Sequence, residues 1–111
     1  MDEPVASPKR NGIFASWFGF VLTVRDDAPF KRDDLVRHLN DRRIGTRLLF
    51  GGNLVRQPYM KDRNFRTHGS LANSDRIMNQ TFWIGVYPGL GEEHIGYLLD
   101  VIGQFCRAQV R

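Results

Sequence analysis

The fold is decided between Thr81 and Arg107, where the chain reads TFWIGVYPGLGEEHIGYLLDVIGQFCR. Thr81 to Pro88 is rich in aromatic and β-branched residues, which predicts a strand, and Pro88-Gly89 ends it. From Glu92 to Arg107 the period changes. Ile95, Leu98, Leu99, Ile102 and Phe105 recur at spacings of three and four, and two glutamates stand in the first turn, where the helix dipole favours them. A strand therefore passes through a short turn into an amphipathic helix.

Working back towards the N-terminus, the same alternation repeats twice. SWFGFVLTV, Ser16 to Val24, is apolar at nearly every position and predicts a central strand covered on both faces. Next comes RDDAPFKRDDLVRHLNDRRI. Asp27 or Ala28 is the expected cap, Pro29 suits the first turn, and Leu35, Val36 and Leu39 make an apolar face ending near Arg43. Thr46 to Phe50 predicts a short second strand. Asn53 to Tyr59 is expected to hold one helical turn, stopped by Pro58. Lys61 to Gly69 reads as a polar loop, and Ser70 to Gln80 as a short helix capped by Ser70. The order strand, helix, strand, short helix, strand, helix predicts an α+β fold: a small, mainly antiparallel sheet with helices packed on one face. Residues 13–111 form the one expected domain, and residues 1–12, with Pro4 and Pro8 and no periodicity, read as a flexible lead-in.

Composition narrows the function classes. The chain has 111 residues, enough for one core but small for an independent enzyme with a buried active site. No apolar stretch approaches the length of a membrane span. The single cysteine, Cys106, excludes an internal disulfide framework and a metal site built of several thiolates, so a reducing cytoplasm is the expected compartment. Thirteen arginines stand against three lysines, and the net charge is +4. Arginine offers a flat fork suited to phosphate and carboxylate. The basic residues scatter instead of clustering, however, and Trp17, Phe18, Phe20, Phe82 and Trp83 fall in strands that read as core, so nucleic acid is not the expected partner.

Residues able to carry catalysis alone are not evident. His38, His68 and His94 fall on a helix face, in a polar loop and at a helix start, and are read as solvent-exposed. No serine or cysteine stands near them in a triad order, and no phosphate-cradling glycine motif or metal spacing is present. The unusual stretch is TRLLFGGNLVRQP, Thr46 to Pro58, where paired glycines, an amide and two arginines crowd one turn. Solvated arginines beside a tight turn are the plain alternative. A second polar cluster, Asn79-Gln80-Thr81, falls at the start of the third strand, and two such clusters at strand ends suggest one wall of a cleft.

Three motifs carry a family resemblance: SWFGFVLTVR at Ser16 to Arg25, IGTRLLFGGNLVRQP at Ile44 to Pro58, and MNQTFWIGVYPGL at Met78 to Leu90. They resemble the C-terminal small domain of DegT/DnrJ/EryC1/StrS-type PLP-dependent sugar aminotransferases, and more closely the branch of CDP-4-keto-6-deoxy-D-glucose 3-dehydratases of lipopolysaccharide biosynthesis. Gly91 departs from the threonine cap common in relatives. The resemblance implies the C-terminal domain of a fold-type I PLP enzyme whose large, cofactor-holding domain lies outside this chain. The active-site histidine of the dehydratase branch, or the lysine of a true aminotransferase, would lie there too, as would the cysteines of a [2Fe–2S] cluster.

By the same resemblance, the whole enzyme uses PLP/PMP to remove the C3 hydroxyl of a CDP-4-keto-6-deoxyhexose. The product feeds 3,6-dideoxysugars into O-antigen, and the enzyme works as a homodimer. This domain is expected to supply one wall of the nucleotide-sugar cleft and to be inactive alone. A stand-alone nucleotide-sugar-binding or interaction module is the competing class. Arg47 and Arg56 are then candidates for the substrate's polar or diphosphate groups, Asn53 for a sugar hydroxyl, and Gln57 and Asn79 (with Gln80, on the third strand) for further polar contacts. Gly51 and Gly52 would allow close approach and positive φ. An apolar patch around Phe50, Leu54 and Tyr59 is expected to face the large domain.

Overall fold

Three antiparallel strands in the order β1-β3-β2 form the sheet of this computed structural model, which describes residues 16–110. The expected lead-in at residues 1–12 lies outside the described residues. β1 is Gly19–Thr23, β2 Thr46–Leu48 and β3 Thr81–Gly85, while the helices are α1 (Arg32–Asp41), α2 (Ala72–Gln80) and α3 (Glu92–Gln109). The α+β class and the antiparallel sheet are as the sequence implies. Among the described residues no helix is long and apolar enough to cross a membrane.

β3 is the central strand. Phe82 pairs with Leu22 and Leu48, Ile84 with Phe20 and Thr46, and Trp83 with Val21 and Arg47. Side chains alternate along a strand, so Phe82 and Ile84 face one side and Trp83 the other. Phe82 and Ile84 are buried in a core with Leu35 and Leu39 of α1, Val101 and Phe105 of α3, and Val24. Phe105 is clasped between rings of Phe30 and His38, each with its centroid 5.0 Å away. This corrects the reading of β1 as a doubly covered central strand: it lies at the sheet edge, with Phe18, Phe20 and Val21 exposed. It also corrects His38, whose Nε2 is buried and has no hydrogen-bond partner among the described residues.

The helix ends are set by particular hydrogen bonds. α1 begins at Arg32, not near Pro29, because Asp34 accepts from the Lys31 amide at 3.2 Å while Phe30 is drawn down to Phe105. It stops before Gly45. Arg43 takes a left-handed φ of 63°, its amide reaches the Asn40 carbonyl, and the Ile44 amide reaches that of Leu39, the paired bonds of a Schellman end. Ser70 does not cap α2; Leu71, at φ 57°, precedes its first residue. α3 is capped from within by His94, whose Nδ1 accepts from the Gly91 amide at 3.0 Å. Its inner face is Leu98, Val101, Ile102 and Phe105, while Ile95 and Leu99 stay exposed.

Between β2 and α2 the chain makes two single 3-10 turns, Leu54–Arg56 and Pro58–Met60, so Pro58 opens a second turn rather than stopping the first. Neither turn has a buried residue. The segment is seated on α2 by Gly52, whose φ is +69°; a Cβ there would stand 2.5 Å from the Met78 Cα. A Cβ on Gly51 would meet only Gln57, at 3.6 Å, an ordinary contact. Gly52→Ala is accordingly expected to cost about 2–4 kcal/mol, through backbone strain added to a backbone clash. Gly51→Ala should cost less than about 1 kcal/mol, and urea unfolding of the two variants checks the difference.

Candidate functional site

The turn after β2 begins at Phe50, which holds a left-handed φ of 49°, uncommon for an aromatic residue. The Gly52 amide donates to the Leu49 carbonyl at 2.9 Å and the Asn53 amide to that of Gly51 at 2.7 Å. This tight winding turns Phe50, Leu54 and Tyr59 outward, at 85%, 74% and 72% exposure. All three residues of the expected apolar patch are exposed. Arg63 lies 4.7 Å over the Tyr59 ring, adding a cation–π contact at its edge.

The polar residues of the same stretch divide into two groups. Asn53 is buried, at 2% exposure. Its Oδ1 accepts from the Val55 amide at 3.2 Å and its Nδ2 donates to Asp75 Oδ1 at 2.9 Å. Both ends of the amide are thus used within the chain, so the side chain that the sequence offers to a sugar hydroxyl is a brace. Gln57 Nε2 donates to the Gly51 carbonyl at 2.6 Å and approaches Met78 Sδ at 3.9 Å, which holds the turn closed and against α2. Arg56 differs. Its Nε and Nη2 donate to the two oxygens of Asp75 at 3.2 and 3.4 Å, yet the side chain stays 58% exposed.

Asp75 is the residue that sequence reasoning passes over, because an acid in the first turn of a helix is already explained by the dipole. The hydrogen bonds from Arg56 and Asn53 hold its carboxyl below the ordinary aspartate value of 3.8, and desolvation opposes them. A depressed folded-state value means that this contribution to stability is present above the unfolded value and is lost as pH falls through the folded one.

Asn79 and Gln80 are the last residues of α2, where the expected helix to Gln80 puts them, and not on the third strand, where the reading of them as a strand-end cluster puts them. Asp75 and Asn79 are four apart, so they share one helix face, and both border a shallow cavity of about 370 Å³. Arg56 and Asn79 are therefore brought to one side of α2. Gln80 is engaged with Asp26 at 2.6 Å, and Arg76 pairs with the same carboxylate at 3.1 Å. Arg32, also missed, is nearly buried. Its Nη1 donates to the carbonyls of Met78 and Thr81 at 2.5 and 3.3 Å, closing the end of α2 where the dipole favours a cation. Arg47 stands on another element, exposed on β2 opposite Trp83.

Cys106 is half-buried against the core, and desolvation pushes its thiol up, which keeps it protonated and poorly nucleophilic at neutral pH. Among the described residues no cluster of histidine, cysteine and carboxylates could hold a metal ion.

The chain is similar to known proteins. The chain is 52% identical over 105 residues to the lipopolysaccharide biosynthesis protein RfbH of Salmonella typhimurium, covering 95% of this chain and 23% of that protein. It is 46% identical over 102 residues to the dTDP-4-dehydro-2,6-dideoxy-D-glucose 3-dehydratase of Saccharopolyspora spinosa, covering 92% of this chain and 21% of the relative. Two structures of GDP-4-keto-6-deoxymannose 3-dehydratase, one with bound hydrated PLP and one with bound GDP-perosamine, superpose with a TM-score of 0.75. Each covers 91% of this chain and 26% of its own at 24% identity, a likeness of fold. The chain spans about a quarter of the length of these proteins.

Among the described residues no lysine is placed to hold PLP as a Schiff base in a pocket. Lys31 and Lys61 are both exposed, and neither lines the apolar cavity of about 480 Å³ between Ile44, Ile84 and Leu98. A model of the DegT/DnrJ/EryC1/StrS aminotransferase family matches residues 2–103, a span that begins within the expected lead-in and takes in all three strands. With that match over most of its length, the chain belongs to the DegT/DnrJ/EryC1/StrS aminotransferase family.

Proposed function

We propose that this chain is the C-terminal small domain of a PLP/PMP-dependent nucleotide-sugar 3-dehydratase acting on CDP-4-keto-6-deoxyglucose, in 3,6-dideoxysugar and O-antigen synthesis. The observation that carries the reading is the build of the segment from Thr46 to Met60. Its inner side is fastened to α2 by Gly52, Asn53 and Gln57, and its outer side presents Arg56 with Phe50, Leu54 and Tyr59. A loop fixed from within and apolar without suits the wall of a cleft closed by another body of protein.

In this reading the cofactor belongs to the large domain outside this chain and supplies the electron sink. A [2Fe–2S] cluster would also depend on cysteines from elsewhere, since this chain has Cys106 alone. The work of the present residues is binding and orientation. Arg47 and Arg56 offset the diphosphate charge, with Asn79 as a further polar contact. Asn53 and Gln57 serve by keeping the backbone in place. Phe50, Leu54 and Tyr59 dock against the large domain or the second subunit of a homodimer and exclude water from the diphosphate, where a charged hydrogen bond gains strength as water leaves. The isolated domain holds one wall only and turns nothing over.

In the complete protein, Arg47→Ala and Arg56→Ala should each raise KM for the CDP-sugar by roughly tenfold to a hundredfold, the loss expected for a charge-assisted hydrogen bond to an anion. Turnover at saturation should fall much less, because such a contact is made in ground and transition states alike. Steady-state kinetics decide it. Unchanged KM and kcat in either variant would remove that arginine from the site.

A further inference from the structure

Asp75 receives more of the loop's polar contacts than any other group among the described residues. Its Oδ1 takes the Asn53 amide at 2.9 Å and Arg56 Nε at 3.2 Å, and its Oδ2 takes Arg56 Nη2 at 3.4 Å. A guanidinium has more than one donor edge. Here the edge made of Nε and Nη2 is given to Asp75. Among the described residues Nη1 has no protein partner, and it lies on the edge turned away from the carboxylate in a side chain that remains exposed. Left alone, an exposed arginine loses side-chain entropy when it is fixed on a ligand. Fastened along one edge, it is already oriented, and its second fork faces outward for another anion.

We infer that Asp75 is a positioning residue which, through Arg56, presents that outer guanidinium edge to the diphosphate of a nucleotide sugar. The inference rests on the reading of Arg56 as a substrate-facing group. Asn53 is the companion piece. Buried and bonded to both Val55 and Asp75, it fixes the carboxylate to the base of the same turn that carries Arg56, so carboxylate and arginine cannot shift independently. The lowered pKa of the Asp75 carboxyl is in keeping with this, since the charged form is the one that both donors favour. Asp75 does not touch the substrate. It acts through Arg56 alone, and that sets its test apart from a general structural role.

The test is a double-mutant cycle on KM for the nucleotide sugar, in the complete protein, with Asp75→Asn, Arg56→Ala and the pair. Asparagine keeps the size and one acceptor, so the fold should persist, and circular dichroism verifies it. Asp75→Asn should raise KM about tenfold with kcat within about twofold, and should add nothing in the Arg56→Ala background. Asp75→Glu, which keeps the carboxylate, should recover most of the loss. If Arg56→Ala raises KM while Asp75→Asn does not, the positioning role is wrong and the reading of Arg56 stands. Effects that multiply in the double variant would mean that Asp75 acts by another route, and would also overturn it. An Arg56→Ala protein with unchanged KM would end both claims.

Discussion

The contact between Gly52 and Met78 is the constraint on which the candidate site depends. The two 3-10 turns bury no residue of their own, so little hydrophobic burial fixes their place. What fixes it is a backbone approach that only glycine permits, at a φ that glycine adopts freely. Once Gly52 lies on Met78, Gln57 reaches the same methionine and Asn53 and Arg56 reach Asp75, one turn back along α2. α2 is held in its turn. Arg32 closes its end, Asp26 grips Arg76 and Gln80, and the helix runs without a linker into β3, which carries the centre of the core. The loop is thereby tied to Phe82 through one short helix.

That chain of support explains which parts were legible in the sequence. β3 announces itself by its aromatic and β-branched residues and α3 by a period, and each buries one face: Phe82 and Ile84 at a spacing of two, Leu98, Ile102 and Phe105 at three and four. Val101 belongs to the same buried stripe, whereas Ile95 and Leu99 satisfy the period yet stay outside. The order of elements and the class of fold follow from such patterns. The place of β1 does not. A run as apolar as SWFGFVLTV reads as covered on both sides, but strand order is set by long-range pairing, and β3 lies between the other two. Helix starts fail for a similar reason. Phe30 leaves the predicted first turn to meet Phe105, more than seventy residues away.

The site divides along the same line. A loop dense in glycine, amide and guanidinium groups is visible in any reading of Thr46 to Pro58. Which of those side chains point outward is decided by α2, about twenty residues later in the chain. Asn53 and Gln57 turn inward because Asp75 and Met78 are there to receive them. Asp75 and Arg32 were hidden because each has a sufficient local explanation, an acid in a first turn and a base in a charged run. Only the fold brings Arg32 to the end of α2 and Asp75 beneath Arg56.

Hydrogen exchange followed by mass spectrometry, on the complete protein with and without CDP-sugar, tests most directly whether the Thr46–Met60 segment is a substrate wall. The account predicts that peptides spanning residues 46–60 gain protection when the sugar nucleotide binds, with those of α2 following and those of α3 unchanged. Protection that spares residues 46–60 while appearing elsewhere in the protein would contradict it.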